Sequence, residues 1–172
     1  MTFQFTCSTC GELHEGVPTF GADAPYFYSE LPEEEQASRG LLGTDDCIID
    51  GKQFFVRGCI EISVHGEAQP FAWGAWVNVS EADFNLFEKA FHNAKRSQVG
   101  PFAGYLANAL PGYPDTLNLH VRAHLRNDGI RPYIEVAPSE HPLHQEQCRG
   151  MSPARLAQIY QLVMHPTAGA GG

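Results

Sequence analysis

Cys7 and Cys10 stand two residues apart, followed at once by Gly11 and three residues later by His14. Two thiolates at this spacing can grip one metal ion together, and a glycine after the second lets the backbone amides turn toward the sulfurs. His14 is near enough to supply a third ligand. Zinc favours four such ligands in a tetrahedron. The chain has no second C-x-x-C, so the fourth ligand must come from far away. Cys47, between Asp46 and Ile48, is the first choice, with His141 and His144 in His141-Pro-Leu-His144 as alternatives. A structural zinc would hold an N-terminal segment that has little core of its own. With three protein ligands and a bound water the same zinc would be catalytic, a reading that a fourth protein side chain would exclude. Without metal, the motif is an inert reduced knuckle. A thioredoxin-like redox role fits poorly, because the motif does not open a helix after a buried strand.

A second group is His120, Arg122, His124 and Arg126, spaced two apart. On one strand face they make a cationic strip able to bind a carboxylate or phosphate. The plainer reading is a solvated face paired with Glu135 on a neighbouring strand. His120 and His124 would lie about 13 Å apart on such a strand, too far for one metal. Cys59 with His65 would make a nucleophile and base only if the fold joined them. Asp45, Asp46 and Asp115 are carboxylates of the kind that usually face water. G-x-S-x-G, P-loop, G-x-G-x-x-G and H-E-x-x-H patterns are all missing.

The elements that would position these groups are readable in part. Residues 54–64 and 71–79 alternate apolar and polar around the turn residues 66–70, which predicts a hairpin. Trp73 and Trp76 then point to opposite faces. Ser80 with Asp83 makes a helix cap, and Phe84, Phe87 and Phe91 follow as an apolar stripe toward an end near Arg96. Residues 102–110 lean toward a short helix or turn. Residues 116–126 alternate, Asn127-Asp-Gly129 is a turn, and 131–136 returns as a strand. Ser152-Pro153 opens a last helix with Leu156, Ile159, Tyr160 and Val163 on its buried stripe. Pro32 and three glutamates begin a short early helix that Gly40 ends. Adjacent hairpins predict an α+β fold, an antiparallel sheet with helices packed on one face and a knuckle-like N-terminal segment.

At 172 residues and 43% hydrophobic content the chain is expected to form one α+β domain over 1–166. Residues 1–45 would be its integral knuckle segment and 167–172 a flexible tail. A chain of this size buries roughly 70% of its unfolded surface, so disulfides are not needed. Eleven basic against twenty acidic residues give a net charge of −9. That disfavours nucleic acid and anionic membranes as partners. Five cysteines, an odd number, fit free thiols or metal ligands in a reducing compartment. The start lacks a signal-peptide pattern, and no apolar run is long enough to span a bilayer. The expected location is the cytoplasm.

The chain resembles a bacterial family of the domain-of-unknown-function kind, marked by an N-terminal C-x-x-C-G-x-x-H and a W-G-x-W-V strand. The likeness rests on Cys7–His14, Asp46-Cys47-Ile48-Ile49, Phe55-Val56-Arg57-Gly58, Trp73-Gly74-Ala75-Trp76-Val77, Tyr113-Pro114-Asp115-Thr116-Leu117, Arg131-Pro132 and His141-Pro142-Leu143. It implies that the knuckle is an integral part of the unit, and it implies no activity. The expectation is a non-enzymatic protein with a structural zinc held by Cys7, Cys10, His14 and Cys47 and a protein-interaction role. An acidic domain of this size suits a basic partner, as toxin-immunity proteins do, an analogy of charge and size only. The alternative is a small-ligand binder or enzyme built on the His/Arg strip with His141 and His144.

Overall fold

A computed structural model describes residues 2–166; the tail expected over 167–172 lies outside the described residues. Its centre is the hairpin of β6 (Gln53–Ile62) and β7 (Phe71–Val79), paired without a break from Phe54 opposite Val79 to Ile62 opposite Phe71. The alternation of these segments turns Val56, Ile60, Ile62, Phe71, Trp73 and Val77 into one cluster. The strands β8 (Phe102–Leu106), β9 (His120–His124) and β10 (Tyr133–Val136) continue the sheet antiparallel. Then β10 lies parallel to β6, with Tyr133 opposite Cys59, and the Cys59 N–H donates to Pro132 O at 2.8 Å. The sheet thereby closes on itself as a five-strand barrel. Gly58 permits the closure, since a Cβ there would sit 2.7 Å from Pro132 O.

The mixed helix and strand content matches the expected class, but the sheet is a closed and partly parallel one. Two pairings are parallel, β10 on β6 and β3 (Thr19–Gly21) on β7. Beyond β6 the sheet extends through β5 (Asp46–Ile49) and β4 (Gly40–Leu42). Residues 102–106 form a strand where a short helix or turn was expected. Gly104 explains it: a Cβ there would collide with Asn78 O, so the glycine lets β8 press against β7, and pairing on both sides outweighs weak local preference.

A few helices contact the strands. Ser80 caps α3 (Glu81–Ala90) by accepting from the Asp83 N–H at 3.1 Å. This helix stops before Arg96, which is buried and donates to the carbonyls of Phe91, Arg126 and Ile130, pinning the following loop to the β9–β10 turn. Residues 142–149 form a further helix, α4 (Pro142–Arg149), outside the expected elements. Ser152 caps α5 (Pro153–Met164) as expected. Phe84, Phe87, Leu156 and Ile159 join the main cluster. A second cluster holds Cys47, Ile49, Phe55, Trp76 and Ala107, and is covered by Phe27 and Tyr28 of α1 (Tyr26–Ser29). Trp73 and Trp76 therefore point to opposite faces and are both buried. The early helix is α2 (Glu33–Arg39), which Gly40 follows.

Candidate metal centre

The knuckle is the loop of a small hairpin. The strands β1 (Gln4–Thr6) and β2 (Leu13–Glu15) pair antiparallel, with Phe5 opposite His14. The loop between them is tied by its own backbone. Cys7 N–H donates to Glu12 O at 2.9 Å, and Gly11 N–H donates to Cys7 O at 2.8 Å. Gly11 has φ of +74°, a conformation that favours glycine, so the reversal after Cys10 depends on it. The Thr9 N–H points at Cys7 Sγ from 3.4 Å. Backbone donors at Cys10 and Thr9 hold the Cys7 thiol below its ordinary value, against the opposing effect of burial.

This loop brings Cys10 Sγ to 3.5 Å from His14 Nε2. The fourth member is His165, just past the end of α5. One ligand atom from each of Cys7, Cys10, His14 and His165 lies within 4.8 Å of the other three. Tetrahedral zinc with the usual bond lengths needs sulfur–nitrogen edges of about 3.6 Å and sulfur–sulfur edges of about 3.8 Å. The Cys10–His14 contact already has such a length, and the remaining atoms need only small shifts. His165 Nε2 is buried and has no hydrogen-bond partner among the described residues. A buried polar atom left this way is costly unless something binds it. The donor set of two thiols and two imidazoles fits zinc, whose tetrahedron four such groups would fill.

Packing holds the two halves of the centre together. The His14 ring lies against Tyr160 of α5 at 4.7 Å between centroids, and Phe5 contacts both rings at 5.4 and 5.1 Å. Phe20 meets Tyr160 from another side. Ser8 Oγ donates to Gln161 Oε1 at 3.1 Å. Phe3 is buried in the main cluster and anchors β1 to the barrel.

The structure thus brings together Cys7, Cys10 and His14, and Cys47 is not part of the group. The register of β5 turns the Cys47 thiol into the second cluster, where burial, followed by the charge of Asp46, pushes it up to about 12. His141 caps α4, and its Nε2 lies near the carbonyls of Pro114 and Asp115. His144 Nδ1 contacts Val136 O at 3.2 Å. His165 was missed because no spacing rule links a residue after the last helix to a motif near the start.

The cationic strip is mostly committed elsewhere. Arg126 pairs with Glu61 at 2.6 Å, and His124 Nε2 lies 3.5 Å from Glu135, the neighbour expected for it. His120 packs on Tyr105. Arg122 forms no ion pair among the described residues. It lines two adjoining clefts, one of about 570 Å³ with Asn78, Tyr105 and His120, the other of about 360 Å³ with Tyr133, Glu135, His144 and Cys148. Cys59 is half-buried on the barrel, whereas His65 Nε2 is engaged with Arg149 O at 2.9 Å. Asp45 pairs with Arg131, and Asp115 accepts from the Leu117 N–H.

A closed barrel, with a Cys₂His₂ cluster between the β1–β2 hairpin and the end of α5, defines the molecule as a mixed helix-and-strand protein with a candidate metal centre. The chain belongs to the bacterial family described as uncharacterized protein conserved in bacteria (DUF2199), whose model matches residues 6–151. Cys7, Cys10 and His14 lie inside the matched stretch and His165 beyond it. No curated protein and no solved structure matches the chain.

Proposed function

We propose that the protein is a non-enzymatic cytoplasmic interaction domain whose N- and C-terminal elements are joined by a structural zinc. Its ligands are Cys7, Cys10, His14 and His165. The observation that carries this reading is the convergence of four ligand atoms within 4.8 Å from residues up to 158 positions apart. Two thiolates and two neutral imidazoles would offset the +2 charge of the ion, so the loaded site adds no net charge. Such a site contributes folding energy, because the unfolded chain does not bring residues 7 and 165 together. No helix among the described residues is long and apolar enough to cross a membrane. The net charge of −9 favours a basic protein partner. Leu13 and Met164, more than half exposed on β2 and α5, offer apolar contact area beside the centre.

The test is elemental analysis of the purified, untagged chain beside Cys7→Ser. About one zinc per chain, lost in the variant, is expected for a tetrahedral site of this kind. A metal-free wild-type chain prepared without chelators would overturn the reading.

The unpaired Arg122 between two clefts favours a second reading, a small anionic ligand held by Arg122 with His120 and His144. Its mark would be binding of a carboxylate or phosphate that Arg122→Ala abolishes while zinc content stays unchanged.

A further inference from the structure

We propose that Cys7 and Cys10 are also a peroxide-modification site, whose oxidation to a disulfide expels the metal and unfastens α5 from the β1–β2 hairpin. The inference rests on the zinc reading above. Cys10 is exposed while Cys7 is buried, and their sulfurs lie within 4.8 Å of each other. The exposed residue is thus the one nearer a small oxidant, and the buried one waits beside it, the arrangement of an attacked and a resolving cysteine. A bound metal holds both as thiolates, the form that reacts. The other cysteines are less suited. Cys47 is enclosed in the second cluster, and Cys59 is half-buried in the barrel wall. Cys148 is exposed and serves as the internal comparison.

The chemistry closes on hydrogen peroxide as the oxidant. Cys10 Sγ attacks one peroxide oxygen, the O–O bond breaks, and the departing hydroxide takes a proton to become water. Cys7 Sγ then attacks Cys10 Sγ, the S–O bond breaks, and a second hydroxide leaves and is protonated. The two sulfurs lose two electrons together and the peroxide gains them. A disulfide needs the sulfurs at about 2.05 Å, a closure the loop can make about Gly11. His14 and His165 remain as the only two ligands, too few for a tetrahedral zinc site. The contacts then joining the hairpin to α5 include the Ser8–Gln161 hydrogen bond and the packing of Phe5 and His14 on Tyr160.

The zinc-loaded chain and its Cys148→Ser variant are treated with hydrogen peroxide. Zinc release is followed with a chromogenic chelator, the cysteines by peptide mass, and α5 by amide hydrogen exchange. The expected result is one zinc released per Cys7–Cys10 disulfide in both proteins, faster exchange in the last turns of α5, and reversal by dithiothreitol with added zinc. Zinc retained while Cys148 oxidises, or sulfinic acid at Cys10 without a disulfide, would overturn this inference and leave the zinc reading standing. A chain that never holds zinc would overturn both.

Discussion

His165 decides what the cluster is. With it, four ligand atoms lie within 4.8 Å of one another; without it, the knuckle would offer a metal three protein ligands. Replacing His165 with Ala is expected to lower zinc affinity by at least roughly 10–100-fold, since losing even a partner that merely orients a ligand costs that much. Competition with a chelator of known affinity measures it, and circular dichroism should report an intact barrel. Cys47→Ser is the opposite case. Zinc content should stay at the wild-type level while stability falls by about 1–3 kcal/mol, because a hydroxyl is buried among Phe55, Trp76 and Ala107 without an assured partner. Urea denaturation reads that loss; zinc lost with Cys47 would show that the thiol reaches the metal. These residues also mark how much of the site was legible. The grouping of Cys7, Cys10 and His14 is local, so spacing alone reveals it. Cys47 and His165 are distinguished only by which way β5 faces and where α5 ends.

At the scale of elements, closure of the barrel is the feature to test. Gly58 leaves room for β10 to cross β6, and Gly58→Ala would drive a methyl against Pro132 O and Ile134. Overpacking of this kind is expected to cost about 1–3 kcal/mol, read as a shift in the urea midpoint. An unchanged midpoint would mean that the β6–β10 seam yields freely. A second contact joins α3 to β5. Partial loss of hydration, then a hydrogen bond that the protonated Glu88 carboxyl donates to Asp46 and the charge of Asp46, raise the Glu88 carboxyl to about 7. A carboxyl raised in the folded state binds its proton more readily there than in the unfolded chain. Stability from this pair is therefore present below its ordinary value of about 4.5 and falls as pH rises toward 7. Glu88 is exposed, so solvent damps the effect. Glu88→Gln should flatten the dependence of Tm between pH 5 and 8, with its largest gain at the alkaline end. Parallel curves for the two proteins would show that the pair is not felt.

For the whole molecule, the proposed metal centre and the barrel would be separate sources of order. The main cluster draws on the barrel strands with α3 and α5, while the candidate centre links the β1–β2 hairpin to the residue after α5. Removing zinc with a strong chelator is expected to lower Tm and free the hairpin and the end of α5 to exchange, while far-ultraviolet dichroism keeps its strand signal. At free zinc near 100 times Kd, the difference would be about 2.7 kcal/mol. A global loss of dichroism instead would make the centre part of the folding core. The sequence by itself determined the periodic strands, read as 54–64 and 71–79, the capped helices at Ser80 and Ser152, the opposed tryptophans and the grouping of Cys7, Cys10 and His14. Each depends on neighbours within a few residues, where side-chain alternation and capping act. Tertiary structure alone decided the parallel closure of β10 on β6, the strand at 102–106 and the choice of His165. Those depend on close approach of distant backbones at Gly58 and Gly104 and on where α5 delivers its last residues, distances that no run of adjacent residues contains.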